Sequence, residues 1–218
     1  MCGYSLREES LSMTARRRMI LVWGQYALLL AGFSALGYCA IVVAEATRYQ
    51  VLAREQMRKA NVALAQPSTA RSSLAVSQPG PLLLAGGIAM VGRIDVPRAH
   101  VSVMIAEGTS PRTLRIAAGH IPGTALPGKP GNVAIAAHRD TFFRRLGDLK
   151  SGDLIRITVP GRQYIYSVRF TDVVRPDETW VLEPSTNQLL TLVTCYPFRY
   201  TGPAPKRFVV RARRTDGE

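Results

Sequence analysis

The longest uncharged run in the chain, ILVWGQYALLLAGFSALGYCAIVVA, occupies residues 20–44. Wound as a helix it would reach roughly 37 Å, more than the ~30 Å of a bilayer's hydrocarbon core. Trp23 and Tyr26 near one end and Tyr38 near the other suit the two interfaces, and Gln25 and the glycines are tolerated where the backbone is bonded internally. Arg16, Arg17 and Arg18 stand directly before the run. Positive-inside bias therefore predicts a cytoplasmic tail over 1–19, one transmembrane anchor over 20–44 and an extracytoplasmic location for all that follows. Ala44-Glu45-Ala46 has the form of a signal-peptidase site. The run is longer than the roughly 7–15 residues of a signal core, however, so an uncleaved anchor is the preferred reading. The three arginines also look like part of a twin-arginine export signal, and Met13 offers a second start of translation.

After the anchor the pattern changes twice. TRYQVLAREQMRKANVALA, residues 47–65, has neither Gly nor Pro and sets Val51, Leu52, Met57 and Leu64 among charges, which predicts a helical stalk. Residues 66–81 are rich in Pro, Ser, Ala and Gln, a linker composition that cannot bury a core. Stalk and linker fill 45–86, with a boundary near Gly86, and the folded domain is expected over 87–218. There, short β-branched and aromatic runs alternate with Gly and Pro. Val91 to Val96, Asn132 to Ala137, Leu154 to Val159, Gln163 to Val174, Leu189 to Thr194 and Arg207 to Ala212 are the expected strands. Pro160-Gly161-Arg162 has the composition of a tight turn joining two of them. Phe142 to Leu149 is read as a short helix, and no internal repeat is present. The fold class is all-β: a closed or nearly closed barrel with short helices, preceded by one transmembrane helix.

Composition changes this picture little. A chain of 218 residues has room for one core once anchor and linker are subtracted. The formal charge of +13 would suit a nucleic-acid binder, but the basic residues are scattered rather than gathered into a stripe with interleaved aromatics. No nucleic acid is expected. Attraction to an anionic membrane or cell-wall surface accounts for the charge.

The chemistry centres on TLVTCYPF, residues 191–198. With Cys2 placed in the tail and Cys39 in the span, Cys195 has no disulfide partner in the outer domain. An unpaired thiol there is either buried and inert or used as a nucleophile. Its place at a strand end, just before Tyr196-Pro197, favours use, because a strand end is where solvent and substrate enter. A free thiol is only a few per cent thiolate at neutral pH, so such a nucleophile needs a base or cation nearby and a donor for the oxyanion it creates. Of three histidines, His138 ends the strand NVAIAA and matches Cys195 in placement. His120, in AAGHIPG, reads as a loop residue whose ordinary role is hydrogen bonding, and His100, after VPRA, as a surface or half-buried side chain. If the strands Leu189 to Thr194 and Arg207 to Ala212 pair antiparallel, Arg207 falls beside Cys195 and can hold a carbonyl or an oxyanion. The histidine spacings fit no zinc pattern and the acidic residues form no calcium loop, so neither a metal nor another cofactor is expected.

TLVTCYPF, with NVAIAAHRDTFF before it and YTGPAPKRFVV after it, resembles the sortases, the membrane-anchored cysteine transpeptidases of bacteria. The resemblance runs from about Gly92 to Ala212 and takes in GHIPGTALPGKPGN. Cys195 to Phe198 and Ala204 to Phe208 look most like class D. The chain departs from the pattern at Ala99-His100, where a small or apolar pair is expected. The resemblance implies a sortase-type barrel in which Cys195 attacks a C-terminal sorting signal of LPXTG type and retains the N-terminal part as a thioacyl enzyme. His138 would protonate the departing amine and Arg207 would position the signal and stabilise the oxyanion. Thr194 would help shape the site, and with His120 it is a candidate substrate-binding residue. The implied partners are sorting-signal proteins and an amine acceptor, either a cell-wall precursor or a pilin lysine, with water as a third outlet.

Three other readings fit less well. An L,D-transpeptidase would carry an S-H-G-C-type signature, and a caspase-like protease Q-A-C-x-G around the nucleophile. Neither is present. The reading from a different class is a non-catalytic, membrane-tethered barrel that binds or scaffolds envelope proteins with Cys195 merely buried, which needs three catalytic positions to coincide by chance.

Overall fold

A computed structural model describes residues 5–65, 83–85 and 87–215. Cys2, the expected linker over 66–81 and the boundary at Gly86 lie outside the described residues. The chain divides into two compact units, one up to Glu45 and one from Ala46.

The first unit is helical, being part of α1 (Ser5–Ala65). The helix is long and apolar enough to cross a membrane by length and composition. Leu28, Leu30 and Phe33 on it are 76, 71 and 71% exposed.

The second unit is built on nine described strands: β1 (Leu83–Ala85), β2 (Ile88–Val96), β3 (Val101–Glu107), β4 (Ala118–His120), β5 (Asn132–Ala136), β6 (Leu154–Val159), β7 (Arg162–Val174), β8 (Leu189–Tyr196) and β9 (Lys206–Arg214). They hydrogen-bond in the order β1-β2-β3-β4-β5-β8-β9-β7-β6, and β6 returns to pair with β2. Eight strands thus close into a barrel, with β1 added to the far end of β2. Closure removes most of the open edge that a flat sheet would expose. One short helix, α2 (Pro111–Ile116), starts from Ser110, whose hydroxyl accepts the Thr113 N–H, an N-cap that satisfies one of the free donors of the first turn.

All six expected strands are present. The turn between β6 and β7 is made by Pro160 and Gly161, the glycine at φ 77°, a left-handed conformation that a side chain would strain. Phe142 to Leu149, expected to be a short helix, is a series of turns ending in a single 3-10 turn, Leu146–Asp148.

Alternation along the strands divides inside from outside. Val133 and Ile135 on β5, Leu190 and Leu192 on β8, and Phe208, Val210 and Ala212 on β9 fill the barrel interior. The residues between them therefore point outward. A second buried cluster lies on the outer side of β2 and β3, where Tyr49, Ala53 and Met57 of α1 pack with Met90, Met104, Ala106 and Ile116. Three positions four apart form one helical stripe. The Tyr49 hydroxyl has no hydrogen-bond partner among the described residues, and burial pushes its pKa up to about 12.

Candidate active site

Three neighbouring strands set the site. Cys195 on β8 lies directly opposite Arg207 on β9, and residues so paired in an antiparallel ladder present their side chains on one face, with Cβ atoms roughly 4.5–5.5 Å apart. On the other side β5 runs parallel to β8, with Ala136 level with Val193. The contact continues past the strand end: the Ala137 N–H donates to the Val193 carbonyl at 3.2 Å, and the Thr194 hydroxyl donates to the Ala137 carbonyl at 2.7 Å. Carried on by one more residue, this register sets His138 level with Cys195. Cys195 and Arg207 share the outward-facing parity at one end of the barrel, and His138 follows the last residue of β5 that is bonded to β8.

Exposure suits access. Cys195 and Arg207 are half-buried and His138 is exposed. Cys195 is a free thiol. Arg207 makes no ion pair among the described residues, and its Nη1 donates to the carbonyls of Ala204 at 3.2 Å and Lys206 at 3.0 Å. A guanidinium held only by carbonyls keeps its full positive charge available to an incoming oxyanion.

Thr194 and His120 sit differently. Thr194 has interior parity, is 2% exposed and spends its hydroxyl on Ala137, the residue before His138. His120 ends β4 and is also 2% exposed. Its Nδ1 faces a Glu107 carboxylate oxygen at 2.8 Å, and its Nε2 faces the Ala125 carbonyl at 3.0 Å and the Thr124 hydroxyl at 3.1 Å. Both ring nitrogens are thus engaged within the protein. Among the described residues no three His, Cys, Asp or Glu side chains gather as a metal site would require.

Two features of the site have no counterpart in the strand pattern. Arg139, next to His138, reaches the connection between β8 and β9: Nη1 donates to the Pro197 carbonyl at 3.0 Å, and Nη2 to the carbonyls of Tyr200 at 2.8 Å and Gly202 at 3.1 Å. Its guanidinium also lies 5.6 Å from the centre of the Tyr200 ring. Further down the outer face, the turn Thr179–Leu182 covers β8 and β9. Asn132 donates to the Val181 carbonyl at 3.0 Å and accepts from Thr191 at 2.7 Å, while Val181 is buried with Val174 and Val209. Arg211 lies 5.9 Å from the centre of the Trp180 ring, and burial lowers its pKa. An arginine beside a histidine gives no signal in a chain with so many arginines, and a covering turn shows only once β7 and β8 are placed.

Comparison with known proteins agrees with this fold. The sortase domain family matches residues 94–215. Sortase D of Bacillus subtilis strain 168 is 34% identical over 124 residues, which is 56% of this chain and 63% of that relative, so the match spans less than two thirds of its length. The sortase D5 transpeptidase of Clostridium perfringens is similar in structure with a TM-score of 0.54 and 31% identity, over 58% of this chain and 79% of that one. A lid mutant of sortase A from Corynebacterium diphtheriae gives a TM-score of 0.58 and 29% identity over 82% of this chain and 96% of that one. The matched stretch holds β3 to β9 with His138, Cys195 and Arg207, and the chain belongs to the sortase family, a family of cysteine transpeptidases.

Proposed function

We propose that this chain is a membrane-anchored cysteine transpeptidase that cleaves a C-terminal sorting signal of LPXTG type and transfers the protein to an amine at the cell envelope. The observation that supports this reading is the register that sets Cys195 opposite Arg207 and ties the residue after Val193 to the residue before His138. Arg16 to Arg18 before the apolar run support a cytoplasmic N-terminus, and hence a barrel on the outer side.

The reaction has two halves. The Cys195 sulfur adds to the scissile carbonyl carbon, and the carbonyl electrons move to an oxyanion that the Arg207 guanidinium stabilises. The carbon–nitrogen bond then breaks, and a proton from the His138 imidazolium goes to the departing amine, leaving a thioester. In the second half the acceptor amine adds to the thioester carbon and gives its proton to His138. The carbon–sulfur bond breaks and the thiolate returns. Water in place of the amine gives hydrolysis.

The test uses the full chain in a neutral detergent with an LPXTG-type peptide. A covalent adduct of the peptide's N-terminal part should appear by intact mass and be absent in Cys195→Ala. Arg207→Ala should slow cleavage by about 10²–10³-fold, as loss of an oxyanion donor does, and His138→Ala should slow both halves. If the His138 and Arg207 variants cleave and form adduct at the parent rate, the assignment is wrong.

A further inference from the structure

Outward positions recur at every second residue down the two central strands. After the paired Cys195 and Arg207 come Val193 and Val209, and after those Thr191 and Arg211. Four residues of strand separate Cys195 from Thr191, about 13 Å. Cys195 stands one residue from the end of β8, so the outer face of the sheet continues from the thiol in that direction only. Over it lies the turn Thr179–Leu182, which buries Val209 against Val181 and sets the Trp180 ring beside Arg211. The turn is fixed from below, because Asn132 donates to the carbonyls of Val181 at 3.0 Å and Glu183 at 3.3 Å.

Arg211 is a buried cation without an anion. The residue is only 9% exposed. Its guanidinium makes neither an ion pair nor a hydrogen bond among the described residues, and what it has is the Trp180 ring, 5.9 Å from the guanidinium carbon to the ring centre. Burial works against the charged form, and an aromatic face returns only part of what the lost water supplied. On β7, Phe170 stands directly opposite Arg211, and Asp172 stands opposite Val209. The Asp172 carboxylate accepts the Val173 N–H at 2.7 Å and forms no ion pair with Arg211. The guanidinium is still within reach from outside. Among the described residues the Tyr49 hydroxyl is the one sealed side-chain polar atom without a partner, so the Arg211 nitrogens keep some contact with solvent. A guanidinium fork that is desolvated, unpaired and reachable matches a carboxylate.

Taken with the transpeptidase reading, on which this step rests, we propose that Arg211 and Trp180 form a specificity subsite for an acidic side chain of the sorting signal, on the N-terminal side of the scissile bond. The carbonyl under attack sits at Cys195, and the chain before it is the part retained as the thioester. That part stays bound while the leaving part is exchanged for the acceptor, and from Cys195 the sheet offers it one direction in which to lie. About four residues of extended peptide cover the distance to Arg211, and a path that climbs over the turn Thr179–Leu182 takes up to about three more. A carboxylate there supplies the counter-charge that Arg211 lacks, and the Trp180 ring shields the pair from water.

The experiment uses the full chain in neutral detergent and LPXTG-type peptides in which a single glutamate, glutamine or lysine is moved through those upstream positions. At one of them the parent chain should cleave the glutamate peptide with a kcat/KM about tenfold above that of the glutamine peptide, as a hydrogen bond between charged groups gives. Arg211→Met should abolish that preference, and Arg211→Glu should turn it toward the lysine peptide. Each preference is read within one variant, so a general loss of rate does not enter it. A parent chain without preference at any position overturns the proposal, and so does a variant that slows all three peptides alike and keeps the parent preference. Should neither variant fold by its denaturant midpoint, Arg211→Lys, which keeps the charge without the fork, should lower the preference severalfold, and an unchanged preference overturns the proposal. If no peptide is cleaved at all, the transpeptidase reading fails instead, and fluorescence anisotropy of the labelled peptides judges the subsite alone. Tighter binding of the glutamate peptide, lost in Arg211→Met, upholds it. Equal binding of the glutamate and glutamine peptides, or a difference that survives in Arg211→Met, overturns it.

Discussion

Each residue around the thiol has a task separable from nucleophilicity. Thr194 is the clearest case, because its hydroxyl donates at 2.7 Å to the carbonyl of Ala137 while the neighbouring peptide unit carries His138. A buried carbonyl left without its donor costs about 1–3 kcal/mol. Thr194→Val, nearly isosteric, should therefore lower the stability of the barrel by about that amount and slow cleavage by loosening His138. Thr194→Ser, which keeps the hydroxyl, should restore most of both. Chemical denaturation together with cleavage kinetics checks this, and a Val variant with parent stability and rate would mean that the bond holds nothing in place. That Arg207 falls opposite Cys195 across two paired strands was legible from sequence. The buried lodging of His120 was not, because its partner Glu107 lies on a strand that the pattern does not mark.

That strand, β3, shows where element-scale reading stops. VSVMIAE is buried on both faces: Val101, Val103 and Ile105 face the barrel, and Met104 and Ala106 face α1. Without polar alternation, and with helix formers in its second half, a run of this kind cannot be told from a helix by period. β1 and β4, each of three residues, are too short to show a pattern. The long runs that became β6 to β9 were legible, since there β-branched residues, turn glycines and prolines agree. Arg139 belongs to this scale as well, because it ties the connection between β8 and β9 to the end of β5 by three hydrogen bonds. Arg139→Ala should release residues 197–202, seen as faster amide exchange there, and lower kcat by about tenfold with little change in the global unfolding midpoint. Arg139→Lys keeps the charge without the fork and should recover only part. Unchanged exchange in the Ala variant would show that the connection holds itself.

The whole second unit depends on a piece of chain that its own sequence presents as a stalk. β4 pairs with β3 only over residues 105–107, so the earlier part of β3 has an open edge. Helix α1 closes it: the Gln50 side chain accepts the Met104 N–H at 2.9 Å and donates to the Ile116 carbonyl at 2.7 Å, and Arg54 donates to the Ser102 carbonyl at 3.3 Å. Further along, Asn61 accepts the Gly161 N–H at 2.8 Å. Tyr49, Ala53 and Met57 cover the apolar outer face. The sequence marks Met57 alone of these, since a three-residue stripe among charges says nothing about the surface that will receive it. A fragment over 46–218 should therefore be markedly more stable than one over 83–218, which loses the helix but keeps every strand. Met57→Ala alone in the longer fragment should cost about 2–5 kcal/mol, the range for a buried methionine. The shorter fragment should also self-associate, because it exposes an unpaired edge beside an apolar face. Denaturant midpoints and sedimentation of the two fragments decide the matter. Equal midpoints and a monomeric shorter fragment would return the helix to the role of a mere tether.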